Sequence, residues 1–358
     1  MKDIRVVIWG LGAMGSGIAR VLADRAGVRL SGGVDADPKK IGRSLGEIID
    51  RPEETAIVSS TLEEALAESG ADLCIVATSS FLREVRSHIV GCLDAGLDCI
   101  TIAEEMAYPA ASNQSAAAEI NRVARAAGKT VLGTGINPGF VLDTLIIALT
   151  GACMEVRGIR ARRVNDLSPF GPTVMKTQGV GTTPKEFERG LSGGTIVGHV
   201  GFPESMMMIA RALGWKLDRI EQTRRPIIAE EERVGEHVRV PAGSVAGCNH
   251  SARGFVGDRV VLELEHPQQI QPAAAGVETG DFIEIEGIPD LSLAITPEIP
   301  GGIGTIAVTA NMIPAVFAAG PGLLTMAELP VPRNVAGNLM AAAELLRDPG
   351  AEKNWREG

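Results

Sequence analysis

Aromatic side chains are scarce. Three tryptophans, eight phenylalanines and a single tyrosine make up 3% of the 358 residues. So few flat rings argue against a stacking platform for single-stranded nucleic acid. Positive charge is short as well: 34 Lys and Arg face 44 Asp and Glu, for a net charge of -10, and the basic residues form no block. Nucleic acid and anionic membrane surfaces are therefore poor partners. The five cysteines (Cys74, Cys92, Cys99, Cys153, Cys248) are odd in number and scattered, without a CxxC pair. The five histidines show neither HExxH nor HxxxH spacing. A disulfide framework and a metal site are both disfavoured, and a reducing cytoplasm is the expected location. No run reaches eighteen consecutive apolar residues. The longest candidate, residues 141–154, carries Asp143 and Gly151 and is expected to be a buried helix. Lys2 and Arg5 ahead of VVIWGLGAMG imitate a secretory leader, but the following pattern accounts for that segment better.

Glycine is abundant, at 43 of 358 residues or about 12%, against a usual ~7%. The length suits two domains. Residues 4–9 are a short β-branched apolar run, Gly10 to Gly15 is glycine-rich, and Met14, Ile18, Val21 and Leu22 recur at helical spacing. Further strands are expected at 28–34, 73–77, 97–102 and 129–133, with helical patterns between them. This alternation predicts a doubly wound parallel sheet with helices on both faces over residues 1–140, an α/β Rossmann domain. Beyond about residue 155 strand-like runs replace it, at 158–164, 224–229, 259–265, 281–287 and 291–295. They predict an α+β substrate and oligomerisation domain over 141–300 with a mainly antiparallel sheet. Residues 301–358 are expected to supply C-terminal helices that return to the first domain, ending in a polar tail.

Gly10-Leu11-Gly12-Ala13-Met14-Gly15 follows a strand, opens a helix and is followed by Asp35, twenty residues past Gly15. That is the full context of a dinucleotide fingerprint. Gly10 makes the turn, Gly12 lets backbone meet pyrophosphate, Gly15 lets helix pack on strand, and Asp35 accepts from the adenosine ribose. A carboxylate there favours NAD; Lys39 and Lys40 nearby leave NADP open. Ala77, Thr78 and Ser79 end the next strand at the ligand crevice, where small residues let a cofactor lie flat. A plain helix cap by Ser79 or Ser80 is the competing reading.

Glu104 and Glu105 follow the strand after that. On extended backbone they point to opposite faces, so one faces the nicotinamide as a general base with a raised pKa; otherwise they are exposed loop carboxylates. Tyr108, the only tyrosine, lies just beyond. Asn137 precedes a proline, is held extended and offers a rigid amide for the nicotinamide carboxamide or substrate, or else marks a linking turn, with Phe140 beside it. Arg162, Arg163, Asn165, Asp166 and Lys176 cluster near a strand end. Of these, Arg162, Asn165 and Lys176 are candidate carboxylate or polar substrate contacts, against a solvated edge. His199 is a candidate proton carrier or a structural histidine.

WGLGAMGSGIA (9–19), TIAEEMAYP (101–109), GTGINPGF (133–140), GHVGFPESMMMIA (198–210) and TANMIPAV (309–316) together resemble the dihydrodipicolinate-reductase-like NAD(P) oxidoreductases. More narrowly, they resemble the 2,4-diaminopentanoate dehydrogenase and native amine dehydrogenase group. The resemblance implies oxidative deamination of an amine, or reductive amination of a ketone with ammonia. It also implies an acidic residue of the AEE segment, Glu104 first and Glu105 second, that handles amine, imine and water. Dihydrodipicolinate reductases carry a His-His pair and a DAPSGT-like segment in the second domain; residues 162–183 lack both. A cyclic-imine or aldehyde reductase is the second reading, and a non-catalytic dinucleotide-binding protein the third. A homodimer is expected, because a sheet with one uncovered face pairs with its twin.

Overall fold

The computed structural model describes residues 2–348. The expected polar tail lies outside them. The chain divides into two compact units, one of Met1–Phe140 with the segment from Gly301 onward, the other Val141–Pro300.

The first unit opens with β1 (Ile4–Trp9), α1 (Ala13–Ala23), β2 (Val28–Val34), α2 (Leu45–Ile49) and β3 (Val58–Ser59). It continues with α3 (Leu62–Ser69), β4 (Leu73–Val76), α4 (Leu82–Asp94), β5 (Asp98–Thr101), α5 (Gln114–Ala127) and β6 (Thr130–Gly133). The sheet strands are continuous apolar runs because helices cover both faces. Val6, Val7, Ile8, Ile75 and Ile100 are fully buried. Thr61 and Glu64 make the expected reciprocal cap on α3.

The second unit contains α6 (Thr144–Thr150), β7 (Glu155–Asp166), α7 (Pro172–Thr177), α8 (Pro184–Ser192), α9 (Phe202–Ala212) and β8 (Arg219–Ile228). A two-stranded ribbon of β9 (Arg233–Val234) and β10 (Arg239–Val240) follows. Then come β11 (Val245–Val256), β12 (Arg259–Gln269), β13 (Gly280–Ile288) and β14 (Leu291–Ile295). The main sheet has the order β14-β13-β7-β12-β11-β8. It is antiparallel except where β7 and β12 run parallel. The strand absent from the sequence reading, β11, pairs on both sides. Its VAGCNHSARGFV sequence is broken by glycine, asparagine and serine, which hide the alternation. Gly247 is required there, since a Cβ would lie 1.9 Å from the Gln268 carbonyl oxygen.

The chain then returns to the first unit through α10 (Gly301–Ala318), β15 (Gly322–Leu324) and α11 (Leu339–Arg347). β15 pairs with β6 and completes a seven-stranded sheet in the order β15-β6-β5-β4-β1-β2-β3. Two expectations need correction. Residues 141–154 form only the seven-residue helix α6, because Asp143 stops it at one end and Gly151 at the other. The long apolar element is instead α10, uncharged over 18 residues with a mean hydropathy of 1.5. By length and composition it is able to cross a membrane. Its Val308, Met312, Ile313 and Val316 are buried, however, and Ile306 meets α1 at Gly17, so it serves as a core helix of the unit.

Candidate active site

The carboxyl ends of the parallel strands share one edge of the first unit's sheet, and there the glycine-rich turn sits. Gly10 has φ +94°, and a Cβ on it would lie 2.7 Å from the Ala77 carbonyl oxygen. A Cβ on Gly15 would lie 1.8 Å from the Gly10 oxygen. The protein's own backbone therefore demands both glycines. Gly12 differs: a Cβ there would meet nothing within 4 Å. It is the extended N-cap of α1 and makes no side-chain cap, while Ala13 beside it is exposed. A glycine the fold does not need, at a bare helix N-terminus, fits the pyrophosphate of a dinucleotide. Gly12→Ala is accordingly expected to leave the melting temperature of the free protein within about 1 °C. It should weaken dinucleotide binding more than about tenfold, because the methyl stands where the ligand approaches; a thermal melt and a calorimetric titration measure the two effects.

Leu11 is buried and anchors the turn, its N–H donating to Asp35 Oδ2 at 2.7 Å. Met14 is half-buried, near Gly302. Asp35 Oδ1 accepts from the Asp37 N–H at 2.8 Å, and Lys40 Nζ lies 2.9 Å from Oδ2. Burial pushes this carboxyl up, but bonds from the Asp37 N–H, the Lys40 ammonium and the Leu11 N–H outweigh it and hold the group below the usual carboxylate range.

At the end of β4 the Ala77 N–H donates to the Trp9 carbonyl at 2.7 Å. Thr78 Oγ1 lies 3.1 Å from His88 Nδ1, and His88 stacks on Trp9. The Ser79 hydroxyl is occupied locally: it accepts from the Phe81 N–H at 3.2 Å and donates to Glu84 at the start of α4. It does not cap α4, whose N-cap is Phe81 without a side-chain cap bond. Ser80 faces the Glu104 side chain, and its hydroxyl favours the charged form of that carboxyl.

Glu104–Ala107 is a 3-10 turn, so the two carboxylates do not alternate across an extended strand. Met106 O presses against Gly133, where a Cβ would come within 2.0 Å, and this packs the turn onto β6. The turn separates the two glutamates by partner. Glu105 Oε2 accepts from the Leu82 N–H at 2.7 Å, and its own N–H donates to the Ser80 carbonyl at 3.2 Å. It supplies the acceptor that Phe81, the N-cap of α4, cannot. Glu104 makes no such cap. Burial raises its pKa, the bond from Ser80 and its own backbone opposing, with the Glu105 charge adding to the rise. Glu105→Ala is expected to cost about 1 kcal/mol of stability, as for other lost caps. That lowers the melting temperature by about 2–4 °C, while turnover falls less than tenfold. Glu105→Gln, which keeps an acceptor oxygen, should recover most of the loss in a thermal melt.

Tyr108 ends the 3-10 turn, half-buried. Residues 137–140 form a turn with a cis Asn137–Pro138 peptide, and Phe140 closes it half-buried. Gly139, at φ +126°, shapes this turn, because a Cβ would lie 2.4 Å from the Gly135 nitrogen. The Ile136 N–H is held by Thr305 Oγ1 of α10 at 3.2 Å.

In the second unit the predicted polar cluster divides. Arg162 points to the exposed face of the sheet and lies over the Phe282 ring at 5.1 Å. Lys176 is exposed on α7. Neither joins Asn165 and His199, because a strand sends residues 162 and 165 to opposite faces. The covered face carries instead a row set by register: Arg224 opposite His250, His250 opposite His266, and Arg163 opposite Asp281. Arg163 and Asp281 are a buried ion pair. His266 Nε2 lies 3.1 Å from Asn165 Oδ1, and the His199 N–H donates to His250 Nδ1 at 3.1 Å. The His199 and His266 rings meet edge to face at 4.9 Å. Burial first, then neighbouring positive charge, pushes His199 and His250 down to about 3 and His266 well below its usual value. Gln178 Oε1, His199 Nε2, His250 Nε2 and Gln268 Oε1 are buried with no hydrogen-bond partner among the described residues. His250, His266 and Arg224 carry no signal in the sequence because only sheet register brings them together.

A doubly wound sheet with a glycine-rich turn, an acidic residue ending β2 and a half-buried carboxyl just past the end of β5 define a dinucleotide-dependent oxidoreductase. Residues 4–100 match the N-terminal domain of dihydrodipicolinate reductase, and residues 140–345 match the 2,4-diaminopentanoate dehydrogenase C-terminal domain. The chain is 45% identical to the 2,4-diaminopentanoate dehydrogenase of Acetoanaerobium sticklandii, over 94% of this chain and 96% of that protein. A solved amine dehydrogenase from Mycobacterium smegmatis superposes with a TM-score of 0.83 at 28% identity, covering 94% of this chain and 98% of that one. The myo-inositol dehydrogenase of Lactobacillus casei, solved with NAD(H) and myo-inositol, shares the fold at a TM-score of 0.55 and 15% identity, covering 99% of this chain and 94% of that one. The chain belongs to the 2,4-diaminopentanoate dehydrogenase family.

Proposed function

We propose that the protein oxidatively deaminates 2,4-diaminopentanoate or a closely similar amine with NAD(P), and runs the reverse reductive amination. The observation that carries this reading is Glu104: a carboxyl desolvated at the end of β5, raised in pKa and free of the capping duty that Glu105 performs. The Gly10–Gly15 turn, open at Gly12, and Asp35 would hold the dinucleotide, which would supply the hydride acceptor. An ammonium carbon cannot give up hydride, so Glu104 takes the proton that leaves a neutral amine. Once that proton has passed to solvent, the restored carboxylate charge stabilises the iminium as it forms, and the same group takes a proton from the attacking water and passes it to the departing ammonia. In balance, one substrate ammonium, one oxidised dinucleotide and one water give one ketone, one free ammonium ion, one reduced dinucleotide and one proton. The Ser80 hydroxyl favours the charged form of Glu104.

In the second unit we assign substrate recognition to the row of Arg163, Asn165, His199, His250 and His266. Its unsatisfied buried atoms support a polar ligand. We also read the protein as a cytoplasmic homodimer. The exposed sheet face, with Glu221, Arg253, Glu263, Arg160 and Glu284 in one cross-strand row, supports self-association. Five free cysteines fit a reducing compartment.

The test runs the reaction backwards: NADH is followed with the ketone corresponding to 2,4-diaminopentanoate, with and without ammonium. Oxidation that requires ammonium is expected. Oxidation at the same rate without it would contradict amine chemistry and indicate a simple carbonyl reductase.

A further inference from the structure

The acidic residue that ends β2 is usually counted against NADP, because its charge meets the 2′-phosphate of that dinucleotide. In this chain the carboxylate does not stand alone. Lys40 Nζ donates both to Asp35 Oδ2, at 2.9 Å, and to the Leu11 carbonyl, at 3.0 Å. The ammonium thus ties Asp35 to the glycine-rich turn. The segment that carries it is fixed by its own hydrogen bonds: the Lys40 N–H donates to the Asp37 carbonyl at 2.9 Å, the Lys39 N–H to Asp37 Oδ1 at 3.0 Å, and the Gly42 N–H to the Val58 carbonyl at 2.8 Å. The backbone places the lysine over Asp35, while its four-carbon stem leaves the charged end free to swing. The Lys40 side chain is 24% exposed and the Asp35 side chain 11%. Two of the three ammonium donors are used within the turn, and the third remains available. Lys39 has no such contact among the described residues; its backbone serves the turn.

We propose that Lys40 is a cofactor-specificity residue that admits NADP alongside NAD at the Asp35 site. With NAD, the ammonium stays on Asp35 and the Leu11 carbonyl, and Oδ1, which holds only the Asp37 N–H, accepts from the ribose. With NADP, the ammonium turns from Asp35 to the 2′-phosphate and compensates its charge. The proposal rests on the dinucleotide reading of this turn and adds a determinant to it.

The experiment is calorimetric binding of NAD and of NADP to the full-length protein, without substrate, for the natural chain, Lys40→Met and Lys40→Arg. The natural chain is expected to bind both dinucleotides. Lys40→Met should weaken NADP about thirtyfold and tighten NAD up to about threefold, because Oδ2 becomes free for the ribose. Lys40→Arg should retain NADP binding. Raising salt from about 50 to about 300 mM should weaken NADP more than NAD in the natural chain and equally in Lys40→Met. An NADP-to-NAD ratio of dissociation constants that rises less than about tenfold in Lys40→Met overturns the proposal. Failure of the natural chain to bind either dinucleotide would instead overturn the dinucleotide reading, so the two failures are distinct. Circular dichroism and a melt of each variant establish that it is folded.

Discussion

Glu104→Gln lowers the turnover of amine oxidation by about a thousandfold, in line with the removal of a positioned general base, and leaves dinucleotide binding within about threefold. Glutamine keeps the size and polarity of the side chain but takes no proton. In the natural chain the acid limb of kcat/KM then reports the Glu104 carboxyl, and it lies above the usual carboxylate range because burial raises that group. The same shift has a stability consequence of definite sign. A carboxyl whose pKa is raised in the folded state binds its proton more tightly there than in the unfolded chain. Ionising it therefore costs stability once pH exceeds the ordinary carboxylate range. Glu104→Gln removes that cost, so the variant melts at a higher temperature than the natural chain at about pH 8, and the difference fades near pH 4. A variant less active and more stable is what a strained catalytic carboxylate yields; one that is inactive and less stable would indicate a structural role.

Stability falls steeply as pH drops below about 6.5, through the buried histidines of the second unit. His199 and His250 are held down to about 3 and His266 is lowered further, all chiefly by burial, with Arg163 and Arg224 adding positive charge on the same face. Asp281 faces that charge as the ion-pair partner of Arg163. A histidine depressed in the folded state gains its proton first in the unfolded chain. Its contribution is thus full above about 6.5 and is lost progressively toward the folded value. Each such group gives about 1.4 kcal/mol per pH unit, so three together give a slope of about 4 kcal/mol per unit. Urea denaturation between about pH 7 and about pH 5 measures the slope. His250→Asn, whose Oδ1 takes the place of Nδ1 as acceptor for the His199 N–H, should reduce it by about a third. A flat profile over that interval would mean that these rings are already solvated.

The dinucleotide half of the site is legible in the sequence because its logic is local. Gly10, Gly12, Gly15 and Asp35 lie within one strand-turn-helix-strand unit, and their spacing is their function. Glu104 and Glu105 are legible as a pair but not as individuals. The premise of an extended backbone fails at the 3-10 turn, and only the partner of each carboxylate separates the proposed base, Glu104, from Glu105, which holds the Leu82 N–H. The second unit is readable in several of its strands and opaque at β11. That strand carries Asn249, Ser251 and Arg253 on one face and His250 on the other, so its sequence lacks the apolar alternation by which other strands declare themselves. Arg163, Arg224, His250, His266 and Asp281 lie far apart in the chain and meet through cross-strand register, which no spacing rule encodes, and His199 joins them from the loop before α9. Arg162 is expected at the substrate beside Asn165, three positions away, yet such an odd offset on a strand crosses the sheet. The apolar helix α10 escapes a search for strictly apolar runs because threonines, glycines, an asparagine and a proline interrupt it.

The most direct measurement follows absorbance of the reduced nicotinamide while purified protein, NAD and 2,4-diaminopentanoate react at mildly alkaline pH, with ammonia assayed in the same samples and Glu104→Gln run in parallel. Cofactor reduction matched one to one by ammonia, and lost in the variant although it still binds NAD, is the predicted result. Reduction that persists in Glu104→Gln, or that proceeds without ammonia release, would contradict the assignment of Glu104 as the base of an amine dehydrogenase.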